Sequence, residues 1–244
     1  MEVLGIDVGG TGIKGAPVNI KTGELLKERY RIETPQPATP EAIGAVIKQI
    51  VSFFNWEGKI GIGFPAVVKK GKVFTASNID NSWIGTPINK YLSEITECEV
   101  LAVNDADAAG LAELYFGGGS NVKGIVLLLT IGTGVGSVLF NDGKLIPNTE
   151  LGHLKFKKKT IEDYVSNSVR EKKEMDWNKW GNRFNKILKH YERLFYPDLI
   201  IIGGGISKKM DKFEEFITVK TKVIPAHLMN EAGIIGAALF AAKE

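Results

Sequence analysis

The sequence predicts an α/β fold built from two similar halves. Three observations carry that reading. Short apolar strands alternate with amphipathic helices along most of the chain. An antiparallel hairpin closed by a Gly/Thr turn occurs twice, across residues 5–18 and again across 124–140. The 28 glycines concentrate in turns that follow strands instead of scattering. At 244 residues the chain has room for two modest domains. The expected division is an N-terminal α/β domain over 1–103, rejoined by a final helix over 231–244, and a C-terminal α/β domain over 104–230.

The elements follow in order. Glu2–Val8 reads as a buried strand, Ile13–Val18 as a second, and Leu25–Ile32 as a third after the Lys21-Thr22-Gly23-Glu24 turn. Pro35, Pro37 and Pro40 make a stiff connector. Thr39 with Pro40 caps and starts a helix to about Phe54, with Ile43, Val46, Ile47, Ile50 and Phe54 on one face. Lys59–Phe64 is a strand, Val67–Phe74 a hairpin turning at Lys70-Gly71, and Thr86-Pro87 opens a short helix. The strand Val100–Val103 runs into Asn104-Asp105 and a helix, Ala106–Phe116, stopped by three glycines. Strands Gly124–Thr130 and Gly134–Phe140 follow, then a hairpin turn at Asn141-Asp142-Gly143. A long helix spans about Met175–Phe195, its core face carrying Trp177, Trp180, Phe184, Ile187, Leu188, Tyr191 and Leu194. Leu199–Ile202 is a buried strand ending in Gly203-Gly204-Gly205, and Asn230 caps the last helix, Glu231–Ala242.

Composition removes several function classes. A single cysteine, Cys98, excludes an internal disulfide framework and fits a reducing, cytoplasmic setting. One Cys and three His cannot build the usual tetrahedral zinc sets. Glu2 and Asp7 break any early apolar run, so no signal peptide is legible. The longest uncharged apolar stretch, 232–242, is too short to span a bilayer, so no membrane partner is expected. A net charge of +3 gives no ground for a nucleic-acid partner, yet it hides an asymmetry. Residues 151–193 hold twelve Lys and Arg against six acids, a net +6 that leaves −3 elsewhere. That segment suits an anionic partner, and a solvated helix face accounts for it equally well.

The chemistry lies in the glycine turns. Gly10, Gly12 and Gly15 satisfy G-x-G-x-x-G, but Pro17 forbids the helix that a dinucleotide site needs there. The pattern is strand–turn–strand. Backbone N–H groups of such a turn, at Gly9, Gly10 and Thr11, converge on phosphate oxygens. Asp7 is suited to hold Mg²⁺ directly or through water, and Lys14 to reach a transferring phosphoryl group. Thr130-Ile131-Gly132-Thr133-Gly134 repeats the device, and Gly204 and Gly205 end a strand before an expected helix where further phosphates fit. Between the hairpins, Asp105 is either a helix cap or a carboxylate that takes a proton from an alcohol. Glu150 and His153, in Glu150-Leu151-Gly152-His153, could hydrogen-bond vicinal sugar hydroxyls, and Asn78-Ile79-Asp80 could add contacts.

Together, Asp7-Val8-Gly9-Gly10-Thr11, the second Gly/Thr hairpin, Asn104-Asp105, Glu150–His153 and Gly203–Gly205 resemble the ROK sugar kinases. Residues 5–18, 34–41, 78–83 and 180–208 resemble the polyphosphate-glucokinase branch of that family. The resemblance implies a duplicated actin-like ATPase fold, related to ribonuclease H, with two domains around a cleft and a homodimeric assembly. It implies Mg²⁺-dependent phosphorylation of glucose at the 6-hydroxyl by inorganic polyphosphate, ATP or both. By matching motif, Asp105 would be the general base, and Asn104, Glu150 and His153 sugar ligands, with Asn78 nearby. Asp7, Gly9, Gly10, Thr11, Lys14, Thr130, Gly132, Thr133, Gly134, Gly204 and Gly205 would line the phosphates. Many ROK kinases carry a Cys-rich zinc motif after the E-x-G-H element, ending in one more sugar-binding Glu. Here Phe156-Lys157-Lys158-Lys159 stands there, so no zinc is expected; which residue replaces that Glu stays open, with Glu162 one candidate. Two contrasting readings are a strictly ATP-dependent hexokinase acting on glucose, mannose or fructose, and a non-catalytic sugar sensor. The sensor relatives carry a DNA-binding segment before this region, for which a first strand at residue 2 leaves no room.

Overall fold

The computed structural model describes residues 1–77 and 79–244, apart from the side chain of Met229. The chain divides into two compact units, Met1–Ala112 with Asn230–Glu244, and Glu113–Met229. The boundary lies inside the helix that starts at Asp105, where the sequence reading put it just before that helix.

In the first unit, β1 (Glu2–Val8) pairs antiparallel with β2 (Ile13–Asn19), which pairs with β3 (Tyr30–Ile32). The expected long third strand is corrected: Leu25 makes only an isolated bridge to Val18, and the charged, exposed Lys27–Arg29 stay outside the sheet. Helix α1 (Pro40–Phe54) begins as expected, with Thr39 accepting the Ala42 N–H at 3.3 Å, and it buries the anticipated face. Strand β4 (Ile60–Phe64) joins β1 in parallel, and β5 (Val68–Lys69) and β6 (Lys72–Val73) form a two-residue hairpin. After α2 (Ile88–Thr96), β7 (Val100–Asn104) joins β4 in parallel and feeds α3 (Asp105–Phe116). The sheet order is β3-β2-β1-β4-β7. Its core centres on Ile6, Ile13, Ile43, Ile47 and Phe64. Trp83 packs edge-on to Phe64 at 4.7 Å, and its indole N–H reaches the Ala38 carbonyl at 3.0 Å, which satisfies its one donor while buried.

The second unit repeats the plan. Strands β8 (Ile125–Ile131), β9 (Val135–Asn141) and β10 (Lys144–Ile146) form an antiparallel meander. The hairpin β11 (Lys155–Phe156) and β12 (Lys159–Thr160) and the short helices α4 (Glu162–Val165) and α5 (Asn167–Lys172) follow. Helix α6 (Trp177–Phe195) leads to β13 (Leu199–Gly203) and β14 (Lys222–Pro225), which add in parallel to β8. The order β10-β9-β8-β13-β14 matches the first sheet strand for strand, which is the duplication the two hairpins pointed to. Trp180 stacks on Phe184 at 5.0 Å and both meet Phe213 edge-on at 4.9 and 5.9 Å, while Trp180 donates to the Val165 carbonyl at 2.9 Å, tying α6 to α4. Leu194, expected on the core face, is exposed instead, because the helix ends at an αL residue, Tyr196, one turn beyond the core.

The chain then returns to the first unit as α7 (Ala232–Lys243). Glu231, not Asn230, occupies the N-cap, and it makes no side-chain cap bond; a short 3₁₀ turn over Met229–Glu231 leads into the helix. Helix α7 lies on β1 and β4 through glycines. A Cβ on Gly5 would collide with the Ile234 carbonyl, one on Gly61 with the Ala237 carbonyl, and one on Gly236 with the Ala108 carbonyl of α3. Among the described residues, no helix is long and apolar enough to cross a membrane.

Candidate active site

The first Gly/Thr turn is built by cross-strand register. Asp7, Lys14 and Arg31 are successive partners across β1, β2 and β3, so their side chains share one face of the sheet. Lys14 Nζ lies 3.5 Å from Asp7 Oδ2. Arg31 donates to the Thr11 carbonyl at 2.8 Å, and its guanidinium sits 2.5–2.7 Å from where a Gly12 Cβ would be. The Gly9 N–H closes the turn onto the Gly12 carbonyl at 3.2 Å, and the Thr34 hydroxyl caps the Gly9 carbonyl at 2.5 Å. Gly10 and Thr11 are exposed, and nothing approaches within 4 Å of a Cβ placed on Gly10. The turn opens onto a cavity of about 330 Å³ whose wall includes Gly9, Gly10, Thr34, Gln36, Ser77 and Asp80. Asp80 caps a 3₁₀ turn through Ser82, and those hydrogen bonds hold its carboxyl below the usual range. Asn78 lies outside the described residues.

Asn104 and Asp105 stand at the β7–α3 junction. The Asn104 side-chain oxygen accepts the N–H groups of Ala106 at 3.0 Å and Asp107 at 3.1 Å, while its amide donates to the Ala66 carbonyl at 3.1 Å. Asn104 therefore caps the helix, the role the sequence had also offered to Asp105. Asp105 Oδ1 accepts the Ala106 N–H at 2.8 Å from a half-buried position. Gly63 of β4 lies under this junction: its Cβ would be 3.4 Å from Ala108 Cβ and 3.7 Å from Asp105 Cα.

In the second unit the turn after β8 closes in the same way, Gly132 N–H to the Gly134 carbonyl at 3.0 Å. It is backed by α4 and α5: Asn167 N–H reaches the Gly132 carbonyl at 2.9 Å, and the Ser168 hydroxyl the Thr133 carbonyl at 2.6 Å. Glu162 accepts the Val135 N–H at 2.9 Å, and a Cβ on Gly134 would strike its carboxylate. Glu162 thus braces this turn. Thr130, next to the last residue of β8, lies beside Gly203, its ladder partner. Gly204, at φ +76°, packs against the Ile131 backbone, which only glycine permits, and Gly205 faces open space. The helix expected after them is instead a kinked 3₁₀ segment, Ser207–Lys212, with Lys209 outside helical geometry. Ser207 ties back to the Gly204 carbonyl at 2.8 Å and so continues the turn.

The Glu150–His153 loop is fixed from two sides. Ser137 of β9 donates to the Thr149 carbonyl at 2.5 Å and accepts the Leu151 N–H at 2.8 Å. Tyr191 of α6 donates to the Leu151 carbonyl at 3.0 Å, and burial pushes its phenol far above the usual range, so it remains a donor. Gly152 is required because a Cβ would meet the Val135 carbonyl. Glu150 and His153 project from this rigid turn and are exposed.

A family model described as the ROK family matches residues 3–168. The chain belongs to the ROK family. Over 237 residues this ROK chain is 48% identical to a polyphosphate glucokinase of Mycobacterium tuberculosis, covering 97% of this chain and 89% of the relative. It is 44% identical to a polyphosphate glucokinase of Mycobacterium leprae, covering 97% and 73%. The crystal structure of an inorganic polyphosphate/ATP-glucomannokinase from Arthrobacter sp. strain KM matches with a TM-score of 0.93 and 43% identity over 99% of this chain and 98% of that one. The fold is therefore that of the ROK kinases, with two five-stranded mixed sheets.

Two residues of the ROK chain lead to measurable consequences. Burial raises the Asp7 carboxyl above its ordinary value of 3.8, against the opposing pull of Lys14. A carboxyl with a higher pKa folded than unfolded binds more protons when folded, so stability falls as pH rises through that window. Asp7→Asn should therefore raise the Tm at pH 7, and the gain should vanish below about pH 3.8, read by thermal melts across pH. Glu162→Ala leaves the Val135 N–H unpaired at a cost of about 1–3 kcal/mol. It should raise the KM for the phosphoryl donor while leaving the glucose KM within twofold. A rise confined to glucose would instead make Glu162 a sugar ligand.

Arg31 is the functional candidate that sequence reasoning missed. Its signal was the three-strand register, which becomes visible only once the short β3 is placed opposite Lys14.

Proposed function

We propose that the protein transfers the terminal phosphoryl group of inorganic polyphosphate or ATP to the 6-hydroxyl of glucose, giving glucose 6-phosphate. The observation that carries this is the likeness to polyphosphate glucokinases over 97% of the chain. The arrangement of residues supports the same chemistry. In the reaction the glucose 6-oxygen attacks the terminal phosphorus as its proton passes to Asp105. The bond from that phosphorus to the bridging oxygen breaks, and its electrons leave with the shortened donor. Glu150 and His153 hold sugar hydroxyls from their rigid turn. Asn104 orients Asp105 by fixing the first turn of α3. In the first unit the backbone of Gly10 and Thr11, with Lys14 and Arg31, and in the second that of Thr133 and Gly134, counter charge on phosphates.

Asp7 fits a Mg²⁺ site of the kind that uses one carboxylate together with donor phosphates. Its half-buried carboxylate pairs with Lys14 and has a raised pKa that a bound cation would lower. When bound, Mg²⁺ would neutralise charge on the donor phosphates. The finer readings carried by the resemblance, a cytoplasmic homodimer that needs Mg²⁺ and no zinc, belong to the same proposal.

The test is initial rates for glucose, mannose and fructose with ATP and with polyphosphate, each with and without Mg²⁺. Glucose should be phosphorylated by both donors only when Mg²⁺ is present. Turnover with ATP alone would select the strictly ATP-dependent hexokinase. No phosphorylation of any sugar would overturn the reading.

A further inference from the structure

The basic stretch of the second unit folds into two ring-centred groups. Around Trp177, the Arg170 guanidinium carbon lies 4.3 Å from the ring centroid, with the ammonium groups of Lys209 and Lys212 at 5.7 and 5.9 Å. Arg170 is already paired with Glu171 at 3.4 Å, so this group is partly neutralised. Around Tyr164, Arg183 lies 4.9 Å and Lys157 5.9 Å from the ring, and Lys159 meets Lys173 beside them. Among the described residues, none of Lys157, Lys159, Lys173 and Arg183 forms an ion pair. The Asp163 carboxylate next to them is engaged by the Thr160 hydroxyl at 2.8 Å.

We propose that Lys157, Lys159, Lys173 and Arg183, gathered around Tyr164, bind the distal phosphates of a long polyphosphate donor. This rests on the donor reading given above and adds the site that such a donor needs beyond its reacting end. Two features support it besides the distances. First, the group is continuous with the second Gly/Thr turn. Helix α5 starts where Asn167 and Ser168 bond the Gly132 and Thr133 carbonyls, and it delivers Lys172 and Lys173 about 9 Å further on, at about 1.5 Å per residue. Tyr164 stands on α4, whose first residue, Glu162, braces the same turn. Second, the cations repel one another. Lys159 foremost, then desolvation and Arg183, hold the Lys173 ammonium below the usual lysine range. Asp163 opposes this repulsion at Lys173 but is the weakest of the influences on it, and like charges held together are disfavoured unless an anion completes them. A donor ending at its third phosphate has no use for a cationic group one helix length from the turn, whereas a chain of tens of phosphates does.

The full chain carrying Lys159→Gln, Lys173→Gln and Arg183→Gln should be compared with the parent using ATP, tripolyphosphate and long-chain polyphosphate. The KM for the long chain should rise about tenfold or more, while those for ATP and tripolyphosphate stay within twofold. The log–log salt dependence of the long-chain KM should become shallower by roughly 2, at about 0.7 per charge removed from a flexible polyanion site. An unchanged long-chain KM, or equal rises for all three donors, overturns this site alone. A parent protein that uses ATP but no polyphosphate overturns the donor reading, and this site with it. Competition by single-stranded DNA that the variant abolishes, with no change in the long-chain KM, assigns the group to nucleic acid and also overturns the proposal.

Discussion

Asp105→Asn should lower kcat for glucose phosphorylation by about 10²–10⁴-fold, the usual contribution of a general base. Asn matches Asp in shape and can still accept the Ala106 N–H that Asp105 Oδ1 takes at 2.8 Å. The first turn of α3 is also held independently, since Asn104 accepts two N–H groups there and donates to the Ala66 carbonyl. The substitution therefore removes proton acceptance while leaving the junction standing, and the Tm should move little. Both kcat and kcat/KM should fall together, the signature of an interaction made in the transition state. Turnover within a few-fold of the parent would remove Asp105 from the base role.

Gly236→Ala should destabilise the protein, although local propensity predicts the opposite. In a helix interior, Ala is favoured over Gly by about 1 kcal/mol. At this position the added Cβ would collide with the Ala108 carbonyl of α3, a backbone atom that cannot rotate away. Overpacking of this kind costs about 1–3 kcal/mol, occasionally more, and backbone contacts lie at the upper end. The net loss of about 2 kcal/mol should lower Tm by about 4–8 °C. Because Ala108 lies one turn after Asp105, kcat should fall as well. Gly205→Ala is the control: nothing lies within 4 Å of its Cβ and its φ is not positive, so its Tm should be unchanged. A Gly236→Ala protein as stable as the parent would mean that α7 shifts freely over the sheet and that the close approach is not required.

The sequence read glycine as turn-forming, and for Gly9–Gly12, Gly132–Gly134 and Gly203–Gly205 that is where it stands. It gave no warning of the second use, at Gly5, Gly61, Gly233 and Gly236, where the missing side chain admits α7 onto the sheet or, at Gly236, onto α3. At Gly233, a Cβ would sit 2.7 Å from the Asp7 carboxyl carbon, so one of these close approaches also walls the phosphate turn. A glycine carries no side chain whose polarity or periodicity could announce its neighbour, and these neighbours lie more than 100 residues away in all four cases. Shorter separations, of 20 and 27 residues, were enough to hide Arg31 and Glu162. Arg31 became a partner of the first turn only through the β2–β3 register, and Glu162, guessed as a sugar ligand, lies against Gly134. The helix assumed after Gly205 failed for a local reason that polarity patterns do not encode: Ser207 bonds back to Gly204 and begins a 3₁₀ turn.

By itself, then, the sequence determined the duplicated hairpins, the amphipathic helices, the Asn104-Asp105 junction and membership of a sugar-kinase family. Each is written in residues close together in the chain, where turn chemistry and apolar period act directly on the backbone. Only the tertiary structure decided which cations gather on Tyr164, which carboxylate braces which turn, and which glycines are there for contact with α7. Those depend on pairings between segments far apart in sequence, fixed by the packing of whole elements, and no local pattern records them.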